Sequence, residues 1–285
     1  MKTTKFLTAF FAMFYLAFVM SVSSCKKKEK EDPPTLPPSS SFVMDFSDFK
    51  QNKSGLALQD STTDTTLKYN FNKAFIQASF WNGILSVGLA IPVAAFLESF
   101  KHQPELGDDD WWTWTYSVNV GFKTYTASLH GKIDGQQVNW EMYLSLSGGF
   151  TDFKWFTGTS DLNGTSGQWI LYEKPEVPTT LLQIDWHNNS DGTADIKYMN
   201  VAPSTSVAHG AENGGYIMYG KTNNTPFNAF YNIYYKSWNN LVEINWNRTT
   251  KNGQIKNSLA NTNVLFFNDT DFHCWDNNKY NTDCQ

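Results

Sequence analysis

The stretch VNWEMYLSLSGGFTDFKWFTGTSDL, residues 138–162, decides the fold. In both of its halves apolar and polar residues alternate, and Gly148 and Gly149 stand between the halves. A period of two is typical of a strand with one dry and one wet face, and a glycine-containing break is typical of a hairpin turn. The stretch therefore predicts two antiparallel strands joined by a short turn.

The same alternation continues on both sides of this hairpin. Short turns rich in Gly, Asn and Asp separate the alternating segments, so neighbouring strands should pair antiparallel. We expect a mainly β fold, an antiparallel meander of about eleven strands. A sheet of that size must curl, split or close, so a curved or barrel-like shape is expected. The segments, between residues 114 and 258, are WTYSVNV, TASLHGKI, VNWEMYLSLS, FKWFTGTSDL, GQWILYE, LLQIDWHN, ADIKYMNV, GYIMYGKT, NAFYNIYY, LVEINWN and NGQIKNS.

One long apolar segment precedes the strands. Residues 74–97 carry no charged side chain, and by length alone they could span a bilayer. Gln77 and Asn82 dilute the segment, however, and Pro92 should break a helix. We expect instead two short helices joined near residues 90–92, within a helical segment 73–102. Because they are apolar on most sides, they should be buried, with the sheet packed around them.

The N-terminus has the features of a secretion signal. Lys2 and Lys5 are followed by an uncharged apolar run, residues 6–20, so residues 1–24 are interpreted as a signal peptide. The sequence Val22-Ser23-Ser24-Cys25 resembles the lipobox of bacterial lipoproteins. The resemblance implies that Cys25 carries diacylglycerol, becomes the acylated N-terminus, for example with palmitate, and partners the membrane through its acyl chains. An ordinary signal peptide with an incidental cysteine is the alternative.

A tether should follow the anchor. Residues 25–41 combine a charged run with EDPPTLPPSSS, which should be extended and unpacked, and residues 42–285 should form a single β-rich domain. The charged run resembles the surface-export signal of Bacteroidota lipoproteins. The resemblance implies an outer-membrane lipoprotein, and it leaves open whether the domain faces the periplasm or the cell surface.

Two further cysteines lie near the C-terminus. In an oxidising compartment Cys274 and Cys284 predict a disulfide that closes the loop 274–284. Asp276, Asn278 and Asp283 in this loop are weak candidates for calcium ligands, and a stapled polar loop is the alternative.

The polar stretch before the helices contains two short modification patterns. The triplets Asp60-Ser61-Thr62 and Asp64-Thr65-Thr66 resemble the O-glycosylation pattern of Bacteroidota, which makes Ser61 and Thr65 candidate acceptors. A plain polar loop is the alternative reading.

Composition narrows the function classes. Removal of residues 1–24 takes the formal net charge from −5 to −7, which argues against a nucleic-acid partner. The sequence has no metal-binding His-Glu-x-x-His motif and no Gly-x-Ser-x-Gly nucleophile motif. We therefore assign no catalytic residue and expect no cofactor. We expect a non-catalytic module that binds a hydrophobic ligand, in a fold that loosely resembles LolA/LolB-like or lipocalin-like carriers.

Two alternatives stay open. A surface glycan-binding protein would use exposed aromatic rings, for which Trp111, Trp112 and Trp114 are the best cluster, whereas the other strand tryptophans should point into the core. A secreted hydrolase would use paired carboxylates. The acids available for such a pair are Glu98, Glu105, Glu141 and Asp185.

Overall fold

The computed structural model describes residues 32–49 and 67–284. It contains one antiparallel sheet of fourteen strands, β1–β14, in the order of the sequence. The strands are Glu105–Leu106, Trp112–Val120, Lys123–Asp134, Gln137–Leu146, Phe150–Asp161, Ser166–Lys174, Val177–Asn188, Ala194–Asn200, Tyr216–Lys221, Ala229–Tyr235, Asn240–Trp246, Gly253–Asn257, His273–Trp275 and Asn281–Thr282.

The antiparallel meander is confirmed, and each predicted segment corresponds to one of the strands β2–β12. The expected number, eleven, was too low, because β1, β13 and β14 are only two or three residues long. Such short strands carry no periodicity that a sequence pattern could reveal. The sheet is not closed, since within the described residues β1 and β14 do not pair with each other.

Large and small residues alternate across the inner face of the sheet. Gly131 on β3 pairs with Trp140 on β4, which also pairs with Gly158 on β5, and Gly158 pairs in turn with Trp169 on β6. A Cβ atom on Gly158 would lie 2.2 Å from Cε3 of Trp169. The glycines therefore make room for indole rings that lie over the neighbouring strand, and the inward direction expected for the strand tryptophans is confirmed.

Two helices pack against the sheet: α1, Tyr69–Gly88, and α2, Ala90–Ser99. They meet at Leu89 with a bend of 69°. The break is confirmed, although it lies just before the expected residues 90–92. Pro92 sits in the first turn of α2, where its missing N–H would have no intrahelical partner in any case. With 20 residues, α1 is longer than the short helix that we expected.

The helices bridge distant parts of the sheet. The hydroxyl of Tyr116 on β2 donates to the Ala95 carbonyl of α2 at 2.6 Å. At the other end of the helix pair, the side-chain amide of Asn70 on α1 donates to the Cys274 carbonyl of β13 at 2.8 Å. The helix pair therefore fastens the first long strand to the last strands.

The prediction that both helices are buried is wrong for one side of them. Ala74, Ala78 and Leu85 face the core, whereas Phe80 and Val87 are exposed. The physical reason is that apolar residues occur on every side of α1, while the sheet covers only one side of it.

The segment before the helices, residues 34–49, crosses the inner face of the sheet, and we call it the crossing segment. Pro34 lies over Gly131 of β3, Phe42 packs between β5 and β6 at Phe156, and Phe49 meets Trp246 of β11 edge-on with ring centroids 5.0 Å apart. The packing begins earlier than expected. Pro34, Pro37 and Ser41 of the supposedly unpacked tether are buried.

No single helix in residues 32–49 and 67–284 combines the length and hydropathy needed to cross a membrane. The α1–α2 pair meets both criteria only when its two bent members are taken together.

Candidate functional site

The tryptophan cluster is split between the two faces of the sheet. Trp112 and Trp114 are two residues apart on β2 and are both buried on the inner face, so they cannot stack on a ligand. Trp111 immediately precedes β2 and is half-buried on the outer side. Of the three candidate stacking residues, burial therefore removes Trp112 and Trp114, and Trp111 stays available.

Other aromatic rings join Trp111 on the outer face. The ring of His130 on β3 lies 6.3 Å from that of Trp111, and the ring of Tyr143 on β4 lies 5.5 Å from that of His130. All three rings are half-buried. Lys132 adds a cation 6.0 Å from the Trp111 ring. The result is a row of partly exposed rings that runs from the residue before β2, across β3, to β4.

A carboxylate is held beside this row. Glu141 on β4 accepts hydrogen bonds from the Tyr143 hydroxyl at 2.6 Å and from the Lys154 ammonium at 2.8 Å. Partial burial alone would raise the pKa of Glu141, but these two hydrogen bonds outweigh burial and hold the pKa below its usual range. Glu141 is therefore ionised and fixed in position at neutral pH.

His130 is held at both ring nitrogens. Nδ1 lies 3.1 Å from the Thr113 hydroxyl, and Nε2 lies 2.9 Å from the Ser128 hydroxyl. Burial lowers the pKa of His130, and the negative charges of Glu141 and Asp109 oppose this only in part. The imidazole is therefore neutral at pH 7 and offers a ring face with a polar edge.

An open groove of about 400 Å³ lies next to the row, on the outer face of β4, β5 and β6. We call it the outer groove. Its floor continues into a fixed polar network on β7, where Asp185 accepts hydrogen bonds from Gln168 at 2.7 Å and from Gln183 at 2.9 Å. The lining residues are Trp111, Asn139, Trp140, Glu141, Thr157, Gly158, Thr159, Gln168 and Ile170.

A second hollow of about 460 Å³ lies on the neighbouring part of β5 and β6. Lys154 lines it and also contacts Glu141, so the hollow adjoins the outer groove. Phe153 and Tyr172 supply its aromatic surface, and Pro175 and Pro178 supply rigid apolar edges. Together the two depressions can accommodate an elongated ligand with alternating apolar and hydrogen-bonding groups.

The acids considered for hydrolysis do not form a pair in this groove. Glu141 on β4 and Asp185 on β7 are three strand spacings apart, which corresponds to roughly 14 Å. Glycosidase carboxyl groups lie about 5–9.5 Å apart. Glu98 is bound to Lys101 at 2.8 Å on α2, and Glu105 is on β1.

The helix side contains a smaller apolar crevice of about 240 Å³. We call it the inner crevice. It separates the crossing segment from the α1–α2 pair, and its lining residues are Phe42, Val43, Met44, Phe46, Asn82, Leu85, Ser86, Leu89, Ala90, Val93 and Tyr198. The rest of the inner face is filled by packed aromatic and aliphatic side chains.

The predicted disulfide closes the C-terminal loop. Cys274 and Cys284 form a disulfide with Cα atoms 5.3 Å apart. The carboxylate of Asp276 is occupied by the loop itself, since it accepts the backbone N–H groups of Asn278 and Tyr280 at 2.8 and 2.9 Å. Within the described part of the chain, no three His, Cys, Asp or Glu residues are grouped to hold a metal ion, and Asn278 and Asp283 gain no further support as ligands.

The predictions for Cys25, Ser61 and Thr65 fall outside the described residues. The same is true of the signal peptide, residues 1–24.

Comparison with models of protein families, with curated proteins and with solved structures finds no match for this chain. The resemblances to lipoproteins and to LolA/LolB-like or lipocalin-like carriers therefore stay predictions.

The sequence contained a signal for part of the outer groove. Trp111, Glu141 and Asp185 were all singled out, but for different sites. Reasoning from the sequence missed His130 and Tyr143, although their alternation with buried residues already placed them on the wet face of β3 and β4.

Proposed function

We propose that this protein is an outer-membrane lipoprotein, acylated at Cys25, whose β-rich domain is a non-catalytic glycan-binding module. The sequence features of residues 1–25 support the anchor. The outer groove supports the ligand class, and a glycan ligand favours the cell-surface face of the membrane. No cofactor is part of the proposal.

One observation carries the glycan proposal: the half-exposed row Trp111–His130–Tyr143 borders an open groove with fixed polar groups. Sugar rings have apolar faces that stack on aromatic rings and hydroxyl groups that need donors and acceptors. The ionised Glu141 and the Gln168–Asp185 pair supply those groups in positions set by their own hydrogen bonds. Little conformational freedom would be lost on binding.

Affinity electrophoresis in gels that contain soluble polysaccharides, chosen from a glycan array, tests this proposal. Trp111→Ala should weaken the apparent affinity by roughly fivefold or more, since stacking of a ring on an aromatic side chain contributes about 1–3 kcal/mol. Trp238→Ala is the matched control, because Trp238 is an exposed tryptophan on the turn between β10 and β11. Equal retardation of the wild type and Trp111→Ala by every polysaccharide would refute the proposal.

A hydrophobic ligand is the second candidate, and the inner crevice favours it. The crossing segment, both helices and Tyr198 of β8 line this crevice. Its volume of about 240 Å³ lies below the usual range for ligand pockets, which begins at about 300 Å³. Native mass spectrometry of protein released gently from membranes tests this candidate. A co-purified lipid that Leu85→Trp displaces would support it.

The anchor has its own test. Replacing Cys25 with Ala should move the protein from the membrane pellet to the soluble fraction, because acyl chains bind by burying methylene groups at about 0.8 kcal/mol each. A Cys25→Ala protein that still pellets with membranes in high salt would contradict the acyl anchor.

A further inference from the structure

The solvent side of α1 presents a continuous apolar stripe. Ile76, Phe80, Ile84 and Val87 recur every three or four residues, so they lie on one side of the helix, and all four are exposed. We call these four residues the apolar helix face. Val87 is 82% exposed.

No charged residue interrupts the part of the sequence that carries this stripe. Between Lys73 and Glu98 the chain has none, and Lys73 is turned inward to donate to the Phe266 carbonyl at 3.1 Å. Val264, on the neighbouring loop, is also largely exposed and adds to the apolar surface beside Lys73. A contiguous patch of this kind usually marks a protein or membrane contact.

The position of the tether indicates that a lipid bilayer covers the apolar helix face. The nine Cα–Cα steps from Cys25 to the buried Pro34 can span at most about 32 Å. That reach is shorter than the width of a domain of this size, whose radius of gyration is about 18 Å. Pro34 lies on the inner face of the sheet, which is the side that carries the helices. A chain anchored at Cys25 therefore brings the helix side toward the lipid at high effective concentration.

We propose that the apolar helix face rests in the boundary between headgroups and acyl chains of the membrane that holds the anchor. This inference rests on the proposed acyl anchor, and it directs the outer groove away from the membrane.

Site-specific fluorescence on the full acylated protein tests the inference. With Cys25 acylated and Cys274 bonded to Cys284, an introduced cysteine is the single free thiol. We would attach an environment-sensitive fluorophore in Val87→Cys and, as the control, in Val207→Cys, a fully exposed valine on the loop between β8 and β9. Each protein is reconstituted into vesicles of phosphatidylethanolamine and phosphatidylglycerol, with or without brominated lipid, and floated on a density gradient.

The expected result is a blue-shifted Val87→Cys probe that brominated lipid quenches roughly twofold or more, beside an unquenched Val207→Cys probe. If the protein floats with the vesicles but both probes have the same solvent-like emission, the docking is overturned and the anchor is not. A blue shift that depends on protein concentration and ignores brominated lipid would show that a second copy covers the face, and would also overturn it. Protein that fails to float would refute the anchor, and the docking with it.

Discussion

The hydroxyl of Tyr198 on β8 donates to the carbonyl oxygen of Phe42 in the crossing segment at 2.9 Å. The hydroxyl oxygen of Tyr198 in turn accepts the backbone N–H of Met44 at 3.1 Å. One buried side chain of the sheet thus satisfies two backbone groups of a segment that has no strand partner. The crossing segment is held across the inner face by side chains of the sheet and not by backbone pairing.

Removal of this hydroxyl should weaken the whole domain. We expect Tyr198→Phe to lower the free energy of unfolding by about 1–3 kcal/mol, because the buried N–H of Met44 and carbonyl of Phe42 would both lose a partner. Urea unfolding followed by tryptophan fluorescence measures this. Tyr234→Phe, which removes an exposed hydroxyl bound to Asn239, should change the stability by less than about 0.5 kcal/mol. Equal effects of the two variants would contradict the account.

A partly buried ion cluster around Asp48 should make stability depend on pH. Burial alone would raise the pKa of Asp48, but hydrogen bonds from Lys251, Trp246 and Arg248 outweigh it and hold the pKa below the usual 3.8. This stabilisation is present above about pH 4 and is lost as the pH falls through the folded-state pKa. Asp48→Asn should therefore lower the free energy of unfolding at pH 7 and reduce the loss of stability on acidification.

Equilibrium unfolding of the wild type and Asp48→Asn at pH 7 and pH 3 measures both effects. Asp108→Asn makes the same change of charge at an exposed site and should leave the profile nearly unchanged. If the gap between the wild type and Asp48→Asn were as large at pH 3 as at pH 7, the cluster would not have the assigned role.

The pairing of glycine with tryptophan predicts a size limit. Gly158→Ala should lower the free energy of unfolding by about 1–3 kcal/mol, because the added Cβ would lie 2.2 Å from the Trp169 ring and 2.5 Å from the Gln168 carbonyl oxygen. The control is Gly83→Ala on α1, where no atom lies within 4 Å and the change should stabilise the helix by up to about 1 kcal/mol. Thermal unfolding compares the two variants, and a neutral Gly158→Ala would show that the indole ring moves aside freely.

The environment of His130 predicts the direction of its titration. Its pKa should lie below the usual 6.5, mainly because the ring is partly buried. Glu141→Gln should lower that pKa further, because the negative charge of Glu141 raises it, whereas Glu243→Gln on the distant β11 should not. Proton NMR titration, with the His130 signal assigned by its absence in His130→Gln, measures the midpoints. A midpoint that rises in Glu141→Gln would refute the assigned electrostatics.

The strands could be predicted because each one shows its pattern locally. In β4 the residues Val138, Trp140 and Met142 are buried, and the polar neighbours between them face outward. Neighbouring strands are also connected by short turns, so the order of the sheet follows from the order of the sequence. The break at Leu89 was nearly located because Pro92 constrains the backbone locally.

Features that depend on distant contacts could not be predicted. Whether Phe80 of α1 is buried depends on which side of the helix the sheet covers, and a helix with apolar residues on every side carries no such information. The aromatic row was missed for a similar reason. Trp111, His130 and Tyr143 come together only through the register of β2, β3 and β4.

Hydroxyl-radical footprinting with a retained polysaccharide tests the central proposal most directly, because it reports which side chains the ligand covers. Binding in the outer groove predicts that the oxidation of Trp111 and Tyr143 falls, while that of Met44 in the inner crevice and of the exposed Trp238 stays unchanged. Unchanged oxidation of Trp111 and Tyr143 in the saturated protein, with or without protection of Met44, would contradict the account.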